Sequence, residues 1–159
     1  GSFLGDEILV SAYEEGEDTY GAVWVKVVAQ KLHPQFDEDS LRNDFSLLKL
    51  QKSVKFDTDV ELTISDDRKN VKNGESLVVL GVGDTDEDGD RSRFLRDVTV
   101  QAIATSTCNQ KSWYDGDVYD SSMFCAGVSG GGKDSCQVDS GGPIVRRNGN
   151  KHVQVGLVR

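Results

Sequence analysis

The sequence predicts an all-β fold. Segments rich in β-branched and aromatic residues recur at short spacing, and clusters of Gly, Asn, Asp and Ser separate them. One segment also alternates strictly, because Val60, Leu62 and Ile64 fall on one face while Glu61 and Thr63 fall on the other. Short strands with turn residues between them favour a sandwich or a barrel.

Each predicted element follows from its local composition. The predicted strands are residues 7–13, 22–28, 45–50, 59–65, 76–81, 97–103 and 152–158. A charged turn over residues 14–18 separates the first two strands, and His33-Pro34 ends the second because proline has no backbone N–H.

One short helix and one division of the chain are also predicted. The helix covers residues 106–114, with Ser106 or Thr107 as its N-cap. Residues 66–74 are polar and carry no strand pattern, so a break there would separate residues 1–70 from residues 71–159. We expect the first part to be the remnant of one half of the fold and the second part to be most of the other.

Composition and charge exclude several classes of partner. The net charge of −9 argues against nucleic acid and against an anionic membrane surface, since both need clustered Lys and Arg. No apolar segment approaches the length of about 20 residues that a membrane helix requires. The three cysteines form no C-x-x-C pair and lie far in sequence from both histidines, so we expect no metal and no cofactor. The oligomeric state cannot be predicted from the sequence.

The segment Asp139-Ser140-Gly141-Gly142-Pro143 has the composition of a nucleophile turn. A nucleophilic serine needs an exposed hydroxyl on a tight turn, with backbone N–H groups nearby to hold a developing oxyanion. Glycines permit such a turn and leave room for a substrate. The same five residues are also compatible with an ordinary turn, so the flanking sequence decides.

Three segments in the correct order resemble the chymotrypsin/trypsin family of serine proteases. Residues 134–143 read DSCQVDSGGP and agree with the family's D-S-C-Q-G-D-S-G-G-P at nine of ten positions. Residues 33–50 resemble its H-P-x-Y and N-D-I-x-L segments, and residues 108–127 resemble its cysteine loop ending in M-x-C-A-G. The resemblance covers nearly the whole chain. It implies two antiparallel six-stranded barrels, here incomplete at both ends, in a secreted trypsin-like endopeptidase that acts on proteins or peptides.

The resemblance assigns catalytic roles by position. Ser140 matches the nucleophile, and Asp44 matches the carboxylate that orients the catalytic imidazole. The N–H groups of Val138 and Ser140 match the oxyanion hole. The family usually has glycine at the position of Val138, and a β-branched residue resists positive φ there. Loss of that donor would lower the rate by a factor of ~10²–10³.

The resemblance also assigns specificity and structural roles. Asp134 matches the base of the primary specificity pocket, where a carboxylate favours cleavage after Arg or Lys. Asp139 matches the residue that pairs with the new N-terminal ammonium of the mature enzyme. Cys108 and Cys125 match a disulfide pair. The usual partner of Cys136 would lie past Arg159.

The family's catalytic histidine has no counterpart in this chain. The family order is His, Asp, Ser, and nothing before Asp44 resembles its A-A-H-C motif. His33 matches a structural surface position, and His152 is expected to be a surface residue. We therefore expect the 159-residue chain alone to be inactive, and both ends to lie inside the family's domain. The alternative is a non-catalytic homologue that binds proteins or inhibits proteases.

The acidic segment from Asp84 to Asp90 begins like a calcium-binding loop, D-x-D-x-D-G. The twelfth position is Leu95 instead of a bidentate glutamate, and the preceding segment is a predicted strand. A solvated, charged loop is favoured, and weak calcium binding stays open. An unrelated, acidic calcium-binding β protein would require all three family matches to be accidental.

Overall fold

The computed structural model describes seven segments of the chain. They are residues 2–12, 20–55, 62–64, 71–82, 95–128, 140–149 and 151–159. The chain divides into two compact units, Gly1–Asp59 and Val60–Arg159, which are described separately here. The predicted division into residues 1–70 and 71–159 stays a prediction.

The described residues of the first unit form a three-stranded antiparallel sheet. Its strands are β1 (Glu7–Ala12), β2 (Tyr20–Leu32) and β3 (Ser46–Leu50), in the order β1-β2-β3. Alternate residues of β2 point to opposite faces, so Val25 and Val27 are buried while Trp24 and Lys26 are exposed. The strand ends before His33-Pro34, which confirms the predicted break.

The described residues of the second unit form six strands in one sheet. They are β4 (Leu62–Ile64), β5 (Ser76–Gly81), β6 (Arg96–Ile103), β7 (Cys125–Gly127), β8 (Pro143–Asn148) and β9 (Lys151–Leu157). The strand order is β4-β9-β8-β5-β6-β7. Only β4 and β9 pair in parallel among the described strands of this unit, and the other pairs are antiparallel.

The central strands of this sheet bury side chains on both faces. Leu77, Val79, Val100, Ala102 and Ile144 form a buried cluster on one face. Val78 and Val145, which lie opposite each other on β5 and β8, are buried on the other face. Burial of a Val, Leu or Ile side chain contributes about 1.5–3 kcal/mol, so both faces stabilise the unit.

The predicted all-β class is confirmed in its coarse form, as a mostly β chain with two sheets. Neither sheet closes on itself within the segments that the structure describes. The predicted strands at residues 7–13, 76–81, 97–103 and 152–158 agree with β1, β5, β6 and β9 to within one residue at either end.

The predicted helix is only partly correct. Helix α1 covers Thr105–Cys108, and its N-cap is Ala104, which makes no side-chain cap hydrogen bond. The helix stops early because the Asn109 side chain bonds to the backbone of Val118, accepting from its N–H at 2.9 Å and donating to its carbonyl at 2.8 Å. This pair of bonds replaces the continuation of the helix to residue 114.

Candidate active site

Ser140 is exposed and occupies a turn that two backbone hydrogen bonds hold to the end of β9. The N–H of Gly141 donates to the carbonyl of Val158 at 2.8 Å, and the N–H of Val158 donates to the carbonyl of Gly142 at 2.9 Å. Gly141 has φ of +88°, a conformation that only glycine adopts at little cost. The glycine that follows Ser140 is therefore required by the backbone of the turn.

The strand that follows this turn is firmly anchored. Pro143 begins β8, and the buried residues Ile144 and Val145 pair with β5 in the middle of the six-stranded sheet. Opposite Ile144 lies Gly156 of β9. The turn of Ser140 therefore lies between a central strand and the end of its neighbour, so its backbone is supported on both sides.

Asp44 lies in the first unit, two residues before β3, and its side chain is exposed there. Its backbone neighbours are tightly held. Asn43 has φ of +56°, and its side-chain amide donates to the carbonyl of Gln35 at 2.9 Å. The N–H of Phe45 donates to the carbonyl of Asn43 at 2.9 Å, and the Phe45 carbonyl accepts from the N–H of His33 at 3.1 Å. These bonds fix the chain direction on either side of Asp44.

A second carboxylate organises the loop that leads to Asp44. Asp37 accepts hydrogen bonds from the N–H groups of Ser40 at 2.9 Å and Asp39 at 3.1 Å, and it pairs with Arg42 at 3.6 Å. These interactions lower the pKa of Asp37, and the backbone hydrogen bond from Ser40 contributes most. The loop is therefore an ordered connection between β2 and β3.

Neither histidine of the chain is placed to activate Ser140 within the second unit. His33 belongs to the first unit, where its Nδ1 accepts from the N–H of Gln35 at 3.1 Å and its ring lies 4.8 Å from that of Phe45. His152 pairs with Arg147 on β8, six residues before Val158. At ~3.3 Å per strand residue, it is about 20 Å along β9 from the turn of Ser140. A general base needs hydrogen-bond reach, so His152 does not serve Ser140.

The environment of His152 differs from the surface position expected for it. The residue is partly buried, and its Nδ1 is buried without a hydrogen-bond partner among the described residues. This difference follows from its position on β9, a strand with neighbours on both sides in the sheet.

The disulfide that the resemblance implied is confirmed, because Cys108 of α1 and Cys125 of β7 are bonded. Four other residues of interest, Asp134, Cys136, Val138 and Asp139, lie outside the described residues, as does the acidic segment 84–90. In the segments that the structure describes, no group of three or more His, Cys, Asp or Glu side chains is arranged to hold a metal ion. No helix found there is long and apolar enough to cross a membrane.

Two ion pairs of β8, the strand that follows the turn of Ser140, were not predicted from the sequence. Arg146 of β8 contacts Glu75, and Arg147 contacts Asp97 at 2.9 Å. The hydrogen bond from Arg146 is the largest cause of a lowered pKa of Glu75. The partners are 71 and 50 residues apart in sequence, so no local pattern could indicate either pair.

An exposed serine on a glycine turn, followed by a buried strand, is typical of a nucleophile in a serine hydrolase. The sequence model of the family described as Trypsin matches residues 7–159. The chain therefore belongs to the trypsin family.

Two relatives support this assignment. The chain is 39% identical over 155 residues to Trypsin-1 of Astacus astacus, an alignment that covers 98% of this chain and 62% of that protein. It is 38% identical over 129 residues to Trypsin 5G1 of Aedes aegypti, which covers 80% of this chain and 48% of that protein. The chain thus spans between about half and two thirds of the length of these curated relatives.

Proposed function

We propose that this chain is a part of the peptidase domain, incomplete at both ends, of a secreted, trypsin-like serine endopeptidase in which Ser140 is the nucleophile. The observation that carries the proposal is the exposed Ser140 on a turn held to Val158, in a chain of the trypsin family. In this role the Ser140 hydroxyl attacks the scissile carbonyl while a base takes its proton, and backbone N–H groups of residues 138 and 140 hold the oxyanion.

Two carboxylates complete the proposed assignment. Asp44 orients the imidazole that acts as the base, and Asp134 forms the base of the pocket that selects Arg or Lys before the scissile bond. The ordered backbone on both sides of Asp44 supports the first role. The complete protein would contain two six-stranded antiparallel barrels, and its physiological substrates would be proteins or peptides.

The 159-residue chain alone is proposed to have no measurable activity. A serine hydroxyl without a base is a weak nucleophile at neutral pH. Removal of a triad member lowers the rate by several powers of ten. The distance of about 20 Å along β9 between His152 and the turn of Ser140 supports this part of the proposal.

A second candidate function is a non-catalytic homologue that binds proteins or inhibits proteases. The lack of a histidine near Ser140 in its own unit favours this candidate. Both functions require a substrate-like partner, but only the peptidase requires an activated Ser140 hydroxyl. Chemical reactivity of that hydroxyl therefore distinguishes them.

The experiment uses protein purified from its natural source with antibodies against residues 20–55. Its intact mass is measured without reduction, and the protein is then treated with a biotinylated fluorophosphonate, which labels a serine activated by a base. We expect a mass above 17.4 kDa and a label that maps to Ser140. A mass of 17.4 kDa with no label would refute the peptidase and support the binding homologue.

The matched control is the 159-residue chain beside its Ser140→Ala variant. Neither is expected to take the label or to hydrolyse a short arginine ester. Hydrolysis by the parent chain that Ser140→Ala abolishes would show that the chain needs no further base. For the complete protein, Asp134→Ser should lower the rate with arginine esters far more than the rate with phenylalanine esters, and equal losses would refute the pocket assignment.

A further inference from the structure

The chain contains two Asn-Gly pairs, Asn73-Gly74 and Asn148-Gly149. Asparagine is a thermolabile residue, because the backbone nitrogen of the next residue can displace its side-chain amide nitrogen. A following glycine favours this reaction, since it has no Cβ to obstruct the approach of its nitrogen. The dipeptide sequence therefore gives both pairs the same reactivity, and a difference between them comes from the fold.

Hydrogen bonds hold both reacting groups of the pair Asn73-Gly74. The side-chain Oδ1 of Asn73 accepts from the N–H of Ala104 at 2.9 Å. The N–H of Gly74, which carries the attacking nitrogen, donates to the carbonyl of Ala102 at 2.7 Å. Ala102 belongs to the buried cluster of the second unit, so this acceptor is firmly placed. Both bonds must open before the nitrogen of Gly74 can reach the side-chain carbon of Asn73.

The pair Asn148-Gly149 has no such restraint from the described part of the chain. Asn148 ends β8 and pairs with Lys151 of β9, so Gly149 is the first residue of the connection between these strands. Neither the side chain of Asn148 nor the N–H of Gly149 forms a hydrogen bond with another described residue. Gly149 has φ of +61°, and a Cβ built on it would meet no atom within 4 Å beyond its chain neighbours. The nitrogen of Gly149 is therefore free to approach the side chain of Asn148.

We propose that Asn148 is a site of spontaneous deamidation, whereas its two hydrogen-bonded groups protect the pair Asn73-Gly74. The backbone nitrogen of Gly149 loses its proton and bonds to Cγ of Asn148, and the side-chain nitrogen leaves as ammonia. Water then opens the resulting five-membered imide. Opening at one carbonyl gives aspartate, and opening at the other gives isoaspartate, in which the backbone runs through the side-chain carbon. The site lies outside the residues assigned to proteolysis and does not depend on that assignment.

The two products change the β8–β9 hairpin in different ways. Residues 148 and 151 lie directly opposite each other, so aspartate places a carboxylate beside the ammonium of Lys151. Isoaspartate adds a methylene group to the backbone at the end of β8, which disturbs the regular pairing of residues 148 and 151. Deamidation therefore alters this end of the hairpin as the molecule ages, with water as the only co-reactant.

The test uses the complete protein as its Ser140→Ala variant, which prevents self-digestion and makes the result independent of the proposed peptidase. Samples are kept at mildly alkaline pH for increasing times, then reduced and cleaved after lysine at mildly acidic pH. This cleavage separates the two pairs into peptides 73–111 and 134–151. Mass spectrometry follows the mass gain of deamidation in each peptide, and electron-transfer fragmentation locates it and distinguishes isoaspartate from aspartate.

We expect Asn148 to react about tenfold faster than Asn73 or more, because a local opening that costs ~1.4 kcal/mol slows a reaction by that factor. The rate at Asn148 should rise with pH, since the attacking nitrogen must lose its proton. In urea that unfolds the protein, both pairs should react at the same rate. Equal rates in the folded protein, or the same difference in urea as in the folded protein, would overturn the proposal.

Ala104→Pro tests the protection of Asn73 directly. Proline lacks the N–H that donates to Asn73, and the φ of −58° at residue 104 suits its ring. The preceding residue, Ile103, is in a strand, which is the conformation preferred before proline. The folded variant should react faster than the parent at Asn73 and at the same rate as the parent at Asn148. An unchanged rate at Asn73, with circular dichroism showing a folded variant, would overturn the proposal that this bond protects it.

Discussion

Replacement of Gly156 by alanine tests whether β9 is packed as closely as the structure indicates. A Cβ atom at residue 156 would lie 2.9 Å from Cε1 of Phe124 and 3.0 Å from Cγ2 of Ile144. Ile144 belongs to the buried cluster, and Phe124 packs against it. Neither neighbour can move away without disturbing the core, so we expect Gly156→Ala to destabilise the second unit.

The magnitude follows from two opposing effects. Overpacking of a close-packed core costs about 1–3 kcal/mol. Alanine in a strand is favoured over glycine by roughly 0.5–1 kcal/mol, because glycine loses more backbone freedom on folding. The midpoints of these two ranges leave a net destabilisation of about 1 kcal/mol.

Gly127→Ala is the matched control. Gly127 is also a strand glycine, but a Cβ there would meet only Cδ1 of Ile103, at an ordinary distance of 3.6 Å. It should leave the free energy of unfolding unchanged or raise it slightly. The two variants thus differ in the space around the added methyl group and share the same change in backbone freedom.

Urea unfolding followed by circular dichroism measures both variants. With a slope of about 2 kcal/mol per molar urea, Gly156→Ala should lower the midpoint by about 0.5 M. A midpoint equal to that of Gly127→Ala would refute the close approach of β9 to Phe124 and Ile144.

Three other changes have expected outcomes that the same unfolding measurement checks. The double variant with Cys108→Ala and Cys125→Ala lacks the disulfide, which closes a loop of sequence separation 17, and its free energy of unfolding should be lower by about 3 kcal/mol. The parent protein in strong reductant should show the same loss. Glu75 has a pKa lowered below its ordinary value of 4.5, so its stabilisation is present above that pH and is lost as the pH falls through the folded pKa. The parent protein should therefore lose more stability than Glu75→Gln as the pH falls below about 5. If the free energy of unfolding of both proteins falls equally with pH, the pair of Glu75 with Arg146 does not stabilise the fold. Leu77→Ala, at a fully buried position, should cost about 2–5 kcal/mol, and a loss below 1 kcal/mol would contradict its place in the core.

The strands with strong local patterns could be predicted from the sequence. Residues 76–81 are a compact run of apolar residues, and they form β5 with the predicted bounds. The short strand β7, Cys125–Gly127, carries no such pattern, because its β structure depends on pairing with β6. Local composition predicts a strand only where the strand's own residues form a recognisable apolar pattern. It does not predict a strand that forms because a neighbouring strand is available for pairing.

The candidate site shows the same limit. Ser140 could be identified because its signature is contiguous in sequence, and the disulfide followed from the resemblance. The hydrogen bonds between the turn and Val158, and the contact of Arg146 with Glu75, join residues that are distant along the chain. Such contacts depend on the order of strands in the sheet, which periodicity does not report.

The bonds between the turn of Ser140 and Val158 also set an order of events during synthesis. Among the described residues, strands β1, β2 and β3 pair with their neighbours in sequence, so this pairing can form while the ribosome is still translating. The second sheet pairs β5 with β8, across more than sixty residues, and the serine turn closes only on residue 158. The turn that carries Ser140 therefore stays unformed until almost all of these 159 residues have been translated, which delays the assembly of this part of the site.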